Sequence, residues 1–301
     1  MKVLLTGAAG QLGQALIASC PEGVEPISST RNGGTGLRAL DLADDSACRE
    51  AVETHRPEWV LNAGAYTAVD KAESEPELAL AVNALAPAAF AKALQEQGGR
   101  LLQLSTDCVF NGEQSSPYLV DQSRDPLGVY GSTKAKGEAA VEAVFGNSVD
   151  GIILRTSWVI GPVGKNFALM MLRLHRDREQ LGVVSDQVGC PSSTLNLAIA
   201  CWRTVQLGSK HEQPLPPVLH WSDTGAASWF DVSVAVGELG LELGLLKRAA
   251  QVMPIQTSDY PTPATRPGYS LLECNNTRVA LGLEGQHWRQ ALRAVLEAIP
   301  N

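Results

Sequence analysis

The sequence predicts an α/β protein built on a doubly wound parallel sheet, with a smaller C-terminal region. Three observations point there. Short apolar runs alternate with helical stretches from residue 2 to residue 161. Those runs are apolar throughout, as parallel strands covered on both faces are. Gly7, Gly10 and Gly13 cluster at the first strand-to-helix junction, where a Rossmann-type sheet places its phosphate-binding turn.

The elements follow in order. "KVLLT" is a short buried strand, and residues 11–20 form a helix with Leu12, Ala15, Leu16 and Ser19 at helical spacing. Residues 23–30 are a second strand, with Asp41 soon after it. Residues 45–57 read as a helix with an Asp/Ser start and a stop at Pro57. "EWVLNAGA" is a third strand, residues 76–99 a long helix closed by paired glycines, and "RLLQLST" a fourth strand. Residues 125–145 are a helix with Pro126 in its first turn. Residues 151–161 are the fifth strand. The rhythm then changes: helices are expected over 166–177, 193–208, 228–244 and 285–299, a linker over 208–217 and a folded loop over 251–275. Residues 1–160 are therefore assigned to nucleotide binding, with a return of 192–208, and 161–301 mainly to substrate.

Composition narrows the function. The 301 residues are 45% hydrophobic and carry a net charge of −8, with no Lys/Arg run, so nucleic acid is not an expected partner. Six scattered cysteines form no CxxC pair, which removes zinc and thioredoxin-like readings and suits a reducing, cytoplasmic setting. "IASC" near the N-terminus resembles a lipoprotein cleavage box, but Gly7, Gly10, Gln11, Gly13 and Gln14 interrupt the apolar segment before it. Elsewhere no apolar run of membrane-spanning length is read, so no membrane association is expected.

"TGAAGQLG" places Gly7, Gly10, Gln11, Leu12 and Gly13 where a strand ends and a helix starts. The first glycine permits the tight turn, the second lets a pyrophosphate reach backbone N–H groups, and the third lets helix and strand approach. The second strand ends in "ISSTR", without the acid typical of NAD binders. Arg31 would instead meet a 2′-phosphate, so NADP(H) is favoured and NAD(H) stays open. Asp41 and Leu42 would flank the adenine. Asn62, Ala63 and Gly64 end the third strand, where the cofactor ribose should lie.

"VYGSTK" holds Tyr130 and Lys134, four apart and on one helical face. An ammonium beside a phenol lowers its pKa from about 10, making tyrosine a usable proton donor or acceptor. Thr106 closes the fourth strand with a hydroxyl suited to hold a carbonyl oxygen. Glycine loop, strand-end hydroxyl and Y-x-x-x-K occur in the order of the short-chain dehydrogenase/reductase superfamily, extended sugar-nucleotide branch, which the chain resembles.

The resemblance sharpens in "NAGAYTAVDKAESEPELALAVNA", "STDCVFNG", "YGSTK", "RTSWVIGPVGKNFALMMLRL", "SDQVGCPSST" and "ATRPGYSLL". These stretches are similar to the dTDP-4-dehydrorhamnose reductase family, from the first strand to about Leu272. The resemblance implies NAD(P)H-dependent reduction at C4 of a dTDP-4-keto sugar, the last step of dTDP-L-rhamnose synthesis for cell-surface polysaccharide. It implies Tyr130 as proton donor, Lys134 at the nicotinamide ribose and Thr106 at the C4 oxygen. Asp107, Cys108, Trp158, Asn166, Arg173, Gln187 and Arg266 would face the sugar nucleotide. Asn83 is either a partner for active-site backbone or water, or a satisfied core residue.

Two departures from the family stand out. Many relatives carry tyrosine where Cys108 stands. Some dimeric relatives place a glutamate for an interfacial Mg²⁺ where this chain has Ala15, which cannot ligate a metal. No metal site and a monomer are expected, with a homodimer left open. A 4,6-dehydratase would need an acid–base pair after Thr106, and Cys108 removes half of it. A 4-epimerase, or a non-catalytic subunit resembling the regulatory subunit of methionine adenosyltransferase, remains as an alternative.

Overall fold

The computed structural model describes residues 1–146, 148–210 and 214–300. In chain order the first half runs β1 (Lys2–Thr6), α1 (Gln11–Ala18), β2 (Glu25–Thr30), β3 (Arg38–Ala39), α2 (Asp45–His55), β4 (Trp59–Asn62), α3 (Val69–Ala72), α4 (Pro76–Leu80), α5 (Ala86–Gln97), β5 (Arg100–Thr106) and α6 (Val129–Phe145). It closes with β6 (Gly151–Thr156) and β7 (Val159–Ile160). The second half comprises α7 (Phe167–Asp177), β8 (Gln180–Val184), β9 (Val188–Gly189), β10 (Ser192–Ser193), α8 (Thr194–Gly208), β11 (Val218–Trp221), β12 (Ala227–Ser228), α9 (Trp229–Glu242), β13 (Gln251–Ile255), α10 (Asn275–Leu281) and α11 (Trp288–Glu297).

Seven strands form the main sheet in the order β11-β6-β5-β4-β1-β2-β3, and its paired strands are parallel. Strand order reverses between β1 and β4, and ligands of such sheets bind beyond the carboxyl ends at that point. Leu16 of α1 and Leu197, Cys201 and Val205 of α8 cover one face. Cys48 and Val52 of α2, Phe90 and Leu94 of α5 and Val141 of α6 cover the other. Each such apolar side chain, fully buried, contributes about 1.5–3 kcal/mol. A separate core joins α7, α9 and α11 with Leu181 and Val183.

Several sequence expectations are corrected. β11 is a seventh sheet strand just after the expected linker, whose residues 211–213 lie outside the described set. β13, expected within a folded loop, pairs in parallel with β8 from Gln251↔Gln180 to Ile255↔Val184. Its exposed, proline-containing sequence gives little periodic signal. The fifth strand breaks after Thr156, because Trp158 adopts φ +46 and turns β7 away to pair with β10. The helix after Pro126 starts later, with Gly128 as its N-cap. Helix Pro76–Gln97 is long and apolar enough to cross a membrane, contrary to the reading that no such run exists, but 56% of its apolar window is buried. It packs against α2 and α6 and includes a π-helical turn at Ala81–Leu85.

Candidate active site

The site lies at the carboxyl ends of β1, β4, β5 and β6. Gly7 has φ +67, and a Cβ there would sit 2.6 Å from the Gly64 Cα. A Cβ on Gly13 would sit 2.2 Å from the Gly7 carbonyl oxygen. Only glycine lets the β1 turn, α1 and the end of β4 close on one another. Gly10 caps α1 without a side chain and no acid occupies the first turn. The first-turn N–H groups of Gln11, Leu12 and Gly13 have no partner within the helix and border the cavity, a donor set that fits a pyrophosphate.

That cavity holds about 770 Å³ and runs past Arg31, Asp41, Leu42, Ala63 and Gly64 to Tyr130 and Lys134. Arg31 lies 3.4 Å from Asp41, and both are well exposed. Asn62 does not face it. Its carboxamide is buried, accepting from Thr6 Oγ1 at 2.5 Å and donating to Gln103 at 2.7 Å. Asn62 therefore ties β1, β4 and β5 together instead of touching a ribose. Asn83 is likewise satisfied by the Tyr66 backbone and Thr133.

Tyr130 borders both this cavity and a second one of about 390 Å³. The Thr106 hydroxyl lines the smaller cavity together with the phenol. It also donates to Asp107 Oδ1 at 2.9 Å and accepts from the Cys108 amide at 3.1 Å. Burial pushes the Tyr130 phenol up, with Cys108 and Asp107 adding to it and Thr106 opposing it. This corrects the expectation that Lys134 lowers that pKa. The Lys134 ammonium is buried and donates to the Leu104 carbonyl at 2.6 Å. Burial pulls its pKa down to about 8 against the pull of Glu138. Asp107 is buried as well, and burial raises its carboxyl.

The helix carrying this pair lacks a side-chain cap of its own. Glu73, just beyond α3, accepts the Val129 N–H at 2.8 Å instead. Gly131 and Gly137 let α6 press against the backbone at Cys108 and Asn83.

Thr106, Asp107, Cys108, Trp158, Gln187 and Arg266 all line the smaller cavity. Trp158 stacks on Trp229 with centroids 3.6 Å apart, and Gln187 accepts from the Trp229 indole N–H at 3.2 Å. A Cβ on Gly189 would sit 2.5 Å from the Trp158 ring, so glycine leaves the indole its place. Arg266 is held by both oxygens of Asp70, at 2.5 and 2.8 Å. Besides Asn62, two expected residues are not among those lining either cavity. Asn166 caps α7 and donates to Gln11 and the Gly161 carbonyl, while Arg173 is exposed on α7. Trp229, Lys165 and Ser105 line the site without having been singled out. Only the chain's path from α9 back to Gly189 brings Trp229 there, whereas Lys165 stood inside a recognised stretch.

Comparison with known proteins decides the family. The model of the RmlD substrate binding domain matches residues 1–300. The chain belongs to this family. Among relatives of this RmlD-family chain, the dTDP-4-dehydrorhamnose reductase of Streptomyces griseus is 39% identical over 98% of this chain and 93% of its own. The solved reductase of Clostridium acetobutylicum superposes with a TM-score of 0.87 at 32% identity, covering 99% of both chains. That of Bacillus anthracis, solved in complex with NADP, gives 0.86 at 30% identity over 98% of both.

Proposed function

We propose that this protein is an oxidoreductase that reduces the C4 keto group of dTDP-4-dehydro-L-rhamnose to dTDP-L-rhamnose, with NADP(H) as cofactor. The observation that carries the reading is Tyr130 at the border of the two cavities, with Thr106 lining the smaller one beside it and Lys134 the larger. Full-length relatives bearing the reductase name support the substrate, and the NADP-bound relative supports the cofactor.

In this reading residues 1–160 hold the cofactor and residues 161–301 mainly the sugar nucleotide. A bound nicotinamide supplies the hydride. Gln11, Leu12 and Gly13 would offer backbone N–H groups to its pyrophosphate, and Arg31 would meet the 2′-phosphate. Lys134, which borders the same cavity as Tyr130, would hold the ribose. The Thr106 hydroxyl swings its proton from Asp107 to the C4 oxygen, so two placed donors meet the charge that develops there. Tyr130 then protonates that oxygen. Its raised pKa keeps it protonated at neutral pH, in the state a donor needs. Trp158, backed by Trp229, offers an indole to the sugar.

The test is incubation with dTDP-4-dehydro-L-rhamnose and NADPH, following absorbance at the nicotinamide band. Stoichiometric oxidation is expected. An isomerised sugar with no net NADPH consumption would instead identify a 4-epimerase.

A further inference from the structure

The two cavities share Lys165, and among the described residues it is the one cation bordering both. The other cations around them are engaged. Arg266 is bidentate with Asp70, Lys71 pairs with Glu75 at 2.6 Å, Arg31 faces Asp41, and Lys134 is buried against a carbonyl. Lys165 is exposed and has no hydrogen bond or ion pair among the described residues.

Its backbone is nonetheless placed. Gln11, at the start of the first helix, donates to the Val159 carbonyl at 3.2 Å and accepts from Asn166 at 3.1 Å. A Cβ on Gly164 would stand 3.6 Å from the Gln11 Cβ. The loop carrying Lys165 is thus fastened to the glycine turn. The smaller cavity is otherwise bordered by the carboxylates of Glu73 and Asp107, which do not suit a dianion unless a cation offsets them.

We infer that Lys165 is the diphosphate-binding cation at the junction of the two cavities. The inference rests on the nucleotide-sugar reading above, since both the substrate and the cofactor of that reaction carry a diphosphate. Lys165 meets whichever of the two extends across the junction, and the Gln11–Asn166 link sets its position.

Calorimetric titration of the full chain with dTDP, thymidine and NADPH separates the sources. Wild type should bind dTDP more tightly than thymidine. Lys165→Met should weaken one diphosphate ligand about tenfold, as loss of one exposed charge-assisted contact does, while thymidine binding stays unchanged. Lys165→Arg should restore most of it. Loss confined to dTDP assigns the sugar nucleotide, and loss confined to NADPH assigns the cofactor. K165M titrating like wild type with both ligands overturns the inference. Wild type that binds both ligands yet turns over no keto sugar would overturn the reductase reading alone.

Discussion

Cys108 stands beside Asp107 just after β5, where many relatives carry tyrosine. In the fold, burial raises its thiol well above the usual range, with Asp107 adding to the effect. The thiolate is the reactive form, so this shift opposes a nucleophilic role at neutral pH. Iodoacetamide at pH 8 should leave activity intact; inactivation traced to Cys108 would reverse the assignment. Cys108→Tyr should lower KM for the sugar nucleotide by filling the cavity that Cys108 lines. The proposed proton donor is Tyr130. Tyr130→Phe should cut kcat about 10²–10⁴-fold and leave NADPH affinity unchanged, and unchanged turnover would remove Tyr130 from the mechanism.

At the scale of elements, α6 matters most, because it carries Tyr130 and Lys134. Its approach to the strand ends depends on two glycines. A Cβ on Gly131 would lie 2.1 Å from the Cys108 carbonyl oxygen, and one on Gly137 would lie 2.1 Å from that of Asn83. Both obstacles are backbone and cannot rotate away. Gly131→Ala and Gly137→Ala should each cost about 1–3 kcal/mol, read by chemical denaturation. G131A should also lower kcat, since its clash is at the active-site strand end. Glu73 supplies the cap that α6 lacks. Glu73→Ala should lose about 1 kcal/mol and lower kcat, whereas Glu73→Gln, whose amide oxygen still accepts from Val129, should recover both.

Over the whole molecule, two buried groups oppose each other as pH falls. Burial and Arg155 pull His220 down to about 3. Its folded pKa lies below the unfolded value, so the unfolded chain binds the proton first and stability is lost as pH drops below about 6.5. Burial pushes Asp223 up to about 6 despite hydrogen bonds from Ser193 and Asn196. There the folded chain binds the proton first, and stability is gained as pH drops through about 6. Between pH 7 and 5 the first effect costs about 2 kcal/mol and the second returns about 1 kcal/mol. Denaturation at the two pH values should therefore show a shallow wild-type dependence. His220→Gln should gain stability on acidification, and Asp223→Asn should lose more than wild type. Sedimentation should give the 32.0 kDa monomer with or without Mg²⁺, given Ala15 on α1; a Mg²⁺-dependent dimer would contradict that.

The sequence by itself determined the sheet of β1, β2, β4, β5 and β6, the glycine turn and the pairing of Tyr130 with Lys134. Each of these is a local pattern: a buried apolar run, a spacing of glycines, two residues one helical turn apart. The tertiary structure decided what depends on contacts between distant segments. Strand β11 became the sheet edge because β6 offered a free side to pair with. Asn62 was drawn inward by Thr6 and Gln103, and Asn166 by Gln11 and its own helix. Trp229 reached the site because β12 pairs with β9 and sets α9 beside Trp158. The direction of the Tyr130 shift was also set in three dimensions, because burial raises it most, while the Lys134 ammonium is held by the Leu104 carbonyl.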